Sequence, residues 1–300
     1  MSMLPHYAPS HRLVWLFCAG ASASAHEATV ASGAQILIQD LEDFTPPELR
    51  PQARAMAPDL FKAARARGTM VCVRINLLSQ EGLVDLEAVM PHRPDVISYP
   101  KAERALDMAA LSEHIGRLER LHGIPLGQTE ILPVCETALG VVEVRSLAAA
   151  TPRVRAALLG TEDLASDLQA ERGTDGLELD HARRRFLLEC RAARIEPVDA
   201  PYTFADEAGA VAETRYSRRL GYQTKSLVNP AMVRSVQAAL APSPADIALA
   251  RETVTLFEAA RARGEDRALV RDLWVEVPTY LNARRLLERA QGLSTQGAPR

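Results

Sequence analysis

Aromatic residues are scarce in this 300-residue chain: Phe, Trp and Tyr together make up 5% of it. A core must therefore be built mainly from Ala, Leu, Val and Ile. No apolar run approaches the ~20 residues of a membrane span. Basic excess is also missing, since 35 Lys and Arg stand against 38 Asp and Glu for a net charge of −3. That balance excludes a nucleic-acid partner of the ordinary electrostatic kind, and no charge block forms a tail. The four cysteines, Cys18, Cys72, Cys135 and Cys190, make no CxxC pair. This argues against a zinc ribbon or a thioredoxin-type site. Cys18, Cys72 and Cys135 sit in apolar runs and read as small buried hydrophobes, which suits a reducing cytoplasm. The seven histidines form no HExxH pair. A GxSxG elbow, a Walker A loop and a GxGxxG turn after a strand are absent too. Zinc hydrolase, serine hydrolase, P-loop NTPase and dinucleotide-dependent dehydrogenase are left without support.

What is present is a globular composition, 47% hydrophobic and 24% charged. Length alone suggests two domains at about 150 residues each, or one strand–helix barrel of about 250. Short Val/Ile/Leu runs alternate with helical patterns and predict eight strands. They are Leu13–Phe17, Gln35–Gln39, Thr69–Ile75, Asp95–Tyr99, Glu130–Cys135, Ala156–Gly160, Glu196–Asp199 and Thr224–Val228. The first run has a rival reading, because Leu13–Ala25 resembles a signal peptide with its small-residue cleavage site. Only one fixed cation, Arg12, precedes it, and the barrel needs the strand. Helices are predicted over Pro46–Arg67, Ala102–Leu121, Asp180–Arg194 and Asp206–Leu220, with stops at Gly68, Gly123 and Gly221. Eight strand–helix units imply parallel strands and a closed (β/α)8 TIM barrel over residues 1–230. Residues 231–300 are predicted as a C-terminal helical extension and lid, with helices after Pro230, over Ser243–Arg263 and over Pro278–Ala290, packed on a neighbouring subunit.

In such a barrel the chemistry stands at the C-terminal strand ends. Those positions carry Asp40-Leu41-Glu42-Asp43, Arg74-Ile75-Asn76, Tyr99-Pro100-Lys101, Cys135-Glu136-Thr137, Gly160-Thr161-Glu162-Asp163, Asp199 and Lys225. Each alone could cap a helix or join a surface pair. Together they form a ring of carboxylates and cations on one face. Glu136 and Asp163, from adjacent strands, suit Mg2+, which takes oxygen ligands and keeps several waters. The open positions could hold the carboxylate and carbonyl of a 2-oxo acid. Arg74 could offer a planar fork to an anionic oxygen.

In order and spacing these motifs resemble the HpcH/HpaI aldolase and citrate lyase β-subunit family. The resemblance runs through Asp40–Asp43, Val73–Asn76, Pro100-Lys101, Glu136-Thr137 with Gly140, Gly160–Ala165 with Asp167-Leu168, Asp199 with Tyr202, Pro230, and Ala241–Ser243 with Ala250. It implies a Mg2+-dependent barrel, homo-oligomeric (trimer or hexamer), that makes or breaks a C–C bond beside a carbonyl. It implies Glu136 and Asp163 as metal ligands, Arg74 as the catalytic substrate contact, and Glu42 and Asp43 as catalytic groups around the metal's waters. Lys101, Thr137, Gly160 and Thr161 would then contact substrate. The family's lid carries an acid two residues before a proline; Glu276 before Pro278 holds that place and is the implied general acid/base. Several positions depart from the pattern: Cys18-Ala19-Gly20 replaces Val-Pro-Gly, no basic residue stands in Ala21–Ser24, Thr224-Lys225 replaces Gly-Lys, and Asn229-Pro230 replaces His-Pro.

The expectation is a cytoplasmic lyase acting on a citryl-, malyl- or citramalyl-type coenzyme A thioester. Two alternatives stand beside it. One is an aldolase on free 2-oxo or hydroxy acids, favoured by the altered strand-one loop. The other is a barrel that binds an oxo acid or acyl carrier without turnover. The arginines of the 180–194 helix read as a solvated face with Glu189 as partner, and His181 reads as a surface residue.

Overall fold

The computed structural model describes residues 9–296. The chain divides into two compact units, one ending at Ala238 and the other beginning at Ala239. The first unit is a closed eight-stranded barrel, and every neighbouring pair of strands is parallel. Its strands are β1 (Val14–Ala19), β2 (Ile36–Asp40), β3 (Met70–Arg74), β4 (Val96–Tyr99), β5 (Glu130–Cys135), β6 (Ala156–Leu159), β7 (Glu196–Tyr202) and β8 (Thr224–Leu227). All eight predicted strands are found, with ends shifted by a few residues. The first run is a central strand, paired with β2 on one side and β8 on the other.

The outer layer holds α1 (Ala23–Ala31), α2 (Arg50–Ala66), α3 (Gly82–Val89), α4 (Ala105–Leu121), α5 (Ala138–Val142), α6 (Val144–Ala149), α7 (Glu162–Asp167), α8 (Leu177–Ala193), α9 (Glu207–Leu220) and α10 (Val233–Leu240). The caps are written locally. Ser22, Thr137 and Asp206 each accept a backbone N–H at the head of α1, α5 and α9, which satisfies donors the helix cannot.

Strand side chains alternate between the bore and the helix layer. The bore is filled by Trp15, Phe17, Ile36, Ile38, Met70, Cys72, Val96, Leu132, Val134, Ala156, Leu158 and Val198. The opposite parity, including Leu37, Val71, Val73, Ile97, Ile131 and Leu159, packs under the helices. Toward the N-terminal end the bore is closed by an ion pair, with Arg12 Nη1 and Nη2 at 2.5 and 2.8 Å from the Glu130 carboxylate. All four cysteines are buried and free, so the small-hydrophobe reading of Cys18, Cys72 and Cys135 holds.

Three expectations need correction. Asp199 and Lys225 do not join a ring at the barrel mouth. Val198 faces the bore, so Asp199 faces outward, where both meet α8 and α9. Lys225 Nζ lies 2.8 Å from Asp199, 2.7 Å from Glu213 and 2.7 Å from the Ala200 carbonyl. Arg183 Nε lies 2.9 Å from Asp199, and its Nη2 3.2 Å from Glu213. Arg183 is therefore buried in the wall rather than solvated. Arg184 and Arg185 stay on the surface, paired with Asp180 and Glu189, and His181 is exposed as expected. Third, the C-terminal stretch is not purely helical. The second unit packs α11 (Pro244–Ala262) and α12 (Val277–Gln296) with an antiparallel hairpin of β9 (Ala268–Val270) and β10 (Leu273–Val275). Phe257 and Tyr280 stack there with centroids 4.8 Å apart. Among the described residues no helix is long and apolar enough to cross a membrane.

Candidate active site

Alternation carries the bore positions upward into a polar layer. The next inward places after Ile38, Cys72, Val96, Val134 and Leu158 are Asp40, Arg74, Ser98, Glu136 and Gly160. Three of these positions end β2, β3 and β4 or lie within them, and Glu136 and Gly160 are the residues just past β5 and β6, all at the C-terminal ends of the strands. A cleft of about 90 Å³ opens there, lined among others by Arg74, Glu136, Gly160, Thr161 and Asp163.

Arg74 is the centre of the arrangement and is 5% exposed. Its Nε donates to Asp40 Oδ1 at 2.9 Å, and its Nη2 donates to Asp40 Oδ2. Nη1 stands 3.1 Å from Glu42 Oε2. The rings of Phe17 and Phe44 lie 5.1 and 5.5 Å from its guanidinium carbon. Burial alone would lower the Arg74 pKa, but Asp40, Glu42 and Glu136 overcome it and hold the charge in place. Two of five N–H donors are spent on Asp40, so the plane is fixed while donors remain.

The Asp40–Asp43 turn is itself held. The Asp40 carboxylate accepts from the backbone N–H of Glu42 at 2.8 Å and of Phe44 at 3.2 Å. Asn76 Nδ2 donates to the Leu41 carbonyl at 2.9 Å and to buried Asp85 at 2.8 Å. Glu42 is thereby placed between Arg74 and Lys101, whose Nζ is 2.8 Å from Glu42 Oε1. The same ammonium lies 3.5 Å from Asp163 and 3.8 Å from Asp43. Burial raises the Glu42 pKa against the pull of these cations.

Lys101 adopts a left-handed backbone with φ 47°, which costs a non-glycine residue of order 1–2 kcal/mol. That conformation aims its N–H at Glu136 Oε1, 2.8 Å away. Gly160 lies against the other side of Glu136. A Cβ at Gly160 would stand 2.5 Å from Glu136 Cβ and 2.9 Å from its Oε2. The Glu136 carboxyl is pushed up to about 7, first by burial and then by Asp163 and Glu42, against Arg74 and the Lys101 N–H.

The donor set fits Mg2+. Glu136 and Asp163 line one cleft and offer it hard carboxylate oxygens of the kind Mg2+ takes. Among the described residues, five carboxylates (Asp40, Glu42, Asp43, Glu136, Asp163) are met by two cations, Arg74 and Lys101, so the site is short of positive charge. Among the described residues no three His, Cys, Asp or Glu side chains form a ready cage. An ion that retains waters is the kind such a pair can hold.

The structure thus gathers Arg74, Glu42, Asp43, Lys101, Glu136, Gly160, Thr161 and Asp163 into one site. Thr161 is 3% exposed and its Oγ1 has no hydrogen-bond partner, leaving a hydroxyl for a ligand at the cleft wall. Thr137 is used as a cap, accepting from Gly140 N at 3.0 Å. Glu276 belongs to the second unit, exposed just ahead of α12. Three contributors were not singled out from sequence: Asp40 as the clamp on Arg74, and Phe17 and Phe44 as its apolar flanks. Strand parity would have found the first two, whereas Phe44 sits in a loop where no period applies.

The HpcH/HpaI aldolase/citrate lyase family model matches residues 13–230. The chain is 33% identical over 278 residues to the citrate lyase subunit beta of Escherichia coli K12, covering 92% of each. It is 31% identical over 293 residues to a (3S)-malyl-CoA thioesterase of Cereibacter sphaeroides, covering 97% of this chain and 98% of that one. Among solved structures it resembles protein CitE from Mycobacterium tuberculosis in complex with magnesium, acetoacetate and coenzyme A. The TM-score is 0.74 and the identity 27%, over 93% of this chain and 98% of that one.

Proposed function

The chain belongs to the HpcH/HpaI aldolase/citrate lyase family, and on that premise we propose that it is a Mg2+-dependent carbon–carbon lyase. Its substrate is a β-hydroxyacyl thioester of the malyl or citramalyl type. The observation that carries the reading is the Arg74–Asp40 clamp facing the Glu136–Asp163 pair across one cleft. Glu136 and Asp163 would hold Mg2+, which would supply positive charge to the anionic oxygens of the bound acid.

In the cleavage direction the substrate hydroxyl loses its proton and its carbon becomes a carbonyl. The adjoining C–C bond breaks, and its electron pair passes to the carbon beside the thioester, which then takes a proton. The products are a 2-oxo acid and a shorter acyl thioester, with no other reactant. Arg74 cannot lose its charge in this setting, and Asp40 and the two phenyl rings hold its plane. It is thus preorganised to stabilise the negative oxygen of the enolate. Asn76 and Asp85 fix the turn bearing Glu42 and Asp43, which orient the polar layer. In this reading Glu276, supplied by the lid of a neighbouring copy in a homo-oligomer, moves the proton at the enolate carbon. Thr161 hydrogen-bonds the bound acid.

The malyl-CoA thioesterase likeness over nearly the full chain favours a second reading, in which water cleaves the C–S bond to give a free acid and a thiol. One assay separates them. Purified protein with Mg2+ is given malyl- and citramalyl-coenzyme A, and 2-oxo acid and free thiol are measured independently. A lyase yields oxo acid without free thiol; a thioesterase yields the reverse. Unchanged turnover in Glu136→Ala would overturn both.

A further inference from the structure

Asp163 is one half of the carboxylate pair at the mouth, and the element that carries it is weakly founded. It lies in the first turn of α7, which is six residues long. A helix so short has little stability of its own. Its N-cap, Thr161, makes no side-chain cap hydrogen bond, so the head of α7 is not fixed from within. The far end is tied, since Asp167 accepts the backbone N–H of Ala138, at the head of α5, at 2.7 Å. What ties the near end decides where Asp163 points.

That tie is made by Glu162, the residue before Asp163. The two side chains part, as consecutive helical positions do at about 100°. Asp163 lies 3.5 Å from the Lys101 ammonium, which also meets Glu42. Glu162 Oε1 instead accepts from Thr203 Oγ1 at 2.7 Å and from Arg172 Nε at 3.3 Å. Arg172 comes from the segment between α7 and α8. Its Nη1 donates to Glu178 in the first turn of α8, and its Nη2 donates to Thr203, just past β7, at 3.3 Å. The ring of Phe204 lies 5.2 Å from its guanidinium carbon. One planar group thus joins the head of α7, the head of α8 and the rim of β7, with its donors at fixed angles. The Glu162 side chain is 58% exposed and that of Arg172 19%. An acid so exposed is held by its partners rather than by packing.

We infer that Arg172 is a positioning residue for the metal pair: by holding Glu162 to Thr203 at the β7 rim, it sets the head of α7 and with it the direction in which Asp163 is presented beside Glu136. The inference rests on the proposed Mg2+ site at Glu136 and Asp163, and in it Arg172 touches neither ion nor substrate. Nor does Arg172 act through its charge. A cation beside a cation site opposes binding, so loss of that charge alone would tighten Mg2+. Loss of orientation works the other way, since removing a group that orients a metal ligand costs about 10–100-fold in affinity. The sign of the change therefore separates the two roles.

The test reads metal binding, not turnover. Full-length, metal-free protein is titrated calorimetrically with Mg2+ as the parent, Arg172→Met, Glu162→Ala and the double variant. Arg172→Met is expected to weaken binding about tenfold and Glu162→Ala by a similar factor. The double variant is expected to be no weaker than either, because the two side chains act as one tie. Arg172→Lys keeps the charge but not the planar fork, so it recovers only part of the loss. Thermal unfolding of each metal-free variant establishes that the fold persists; a merely structural role would lower the melting temperature and leave the affinity of the folded protein unchanged. If Arg172→Met does not fold, Thr203→Val cuts the same tie from its other end and is expected to weaken Mg2+ severalfold. Unchanged or tighter Mg2+ binding in the variants, or additive losses in the double variant, overturns the inference and leaves the lyase reading standing. A parent protein that binds no Mg2+ overturns the inference and the lyase reading together.

Discussion

Two charge clusters lie in one barrel, one buried in its wall and one at its mouth, and they behave oppositely. Behind the wall, Arg183 and Lys225 meet Asp199 and Glu213, two cations for two acids. At the mouth, Arg74 and Lys101 meet five carboxylates. Burial works to raise the pKa of Asp199, but Arg183 and Lys225 overcome it and hold the carboxyl below its ordinary value. Burial also raises Glu136, and there the cations do not prevail, so it is pushed up to about 7. A balanced cluster completes itself and serves the fold. An unbalanced one waits for a further cation. Ion pairing alone therefore does not identify a functional site; the mismatch in charge beside a cleft does.

The sharpest way to break this comparison is to remove one member of each cluster. Glu136→Gln should lower lyase turnover by about a thousandfold or more and abolish measurable Mg2+ binding, while thermal unfolding of the metal-free protein is unchanged or improved. Lys225→Met should do the converse. Leaving Asp199 and Glu213 with Arg183 as their one remaining shared cation costs about 3–5 kcal/mol, read as a lower urea midpoint. The folded fraction should still bind Mg2+ with unchanged affinity. If Lys225→Met lost metal binding at full stability, the two clusters would have to be read as one.

The second contrast is in pH. Glu136 has its pKa raised on folding from 4.5 to about 7. Between those values the folded state binds the extra proton, so metal-free stability falls as pH rises from about 4.5 to about 7 and then levels off. The size is at most about 3 kcal/mol. Asp199 has a depressed pKa, so its contribution is present above the ordinary Asp value and is lost as pH falls through the lower folded value. Urea melts from about pH 2 to about pH 8, with and without Mg2+, separate the two. Mg2+ should remove the first trend, because ion and proton compete for Glu136, and its affinity should drop about tenfold per unit below pH 7.

Most of the fold was readable because its signals are repetitive. Buried parallel strands leave continuous Val/Ile/Leu runs, and eight of them with helices between admit few other closures. The site was readable where parity and strand ends coincide, at Arg74, Glu136 and Gly160. Asp199 and Lys225 were misplaced because a strand end was taken as enough. The neighbour Val198 faces the bore, so Asp199 must face outward, and the register shift after it hides this at the rim. The hairpin of β9 and β10 went unseen because three-residue strands are too short to show a period. Phe44 went unseen because loops carry none. Arg183 looked solvated amid four other arginines, and only the packing of α8 on the wall distinguishes it.

The smallest expected effect probes how tightly the mouth is built. Gly160 is in ordinary backbone space, so an alanine there is not excluded by conformation; it is excluded by Glu136. Its Cβ would lie 2.5 Å from Glu136 Cβ, well inside contact distance, and the listing away of that side chain is opposed by the Lys101 N–H bond at 2.8 Å. Gly160→Ala should therefore cost about 1–3 kcal/mol as an overpacking change. It should weaken Mg2+ binding by about tenfold, as loss of ligand orientation does elsewhere. At the wall cluster a Cβ on Gly176 would meet Glu213 and Arg183 at 3.7 and 3.8 Å, ordinary contact distances. Calorimetric Mg2+ titration of Gly160→Ala beside the parent decides it. Equal affinity would mean that Glu136 is free to move and that the mouth is held open by less than its contacts suggest.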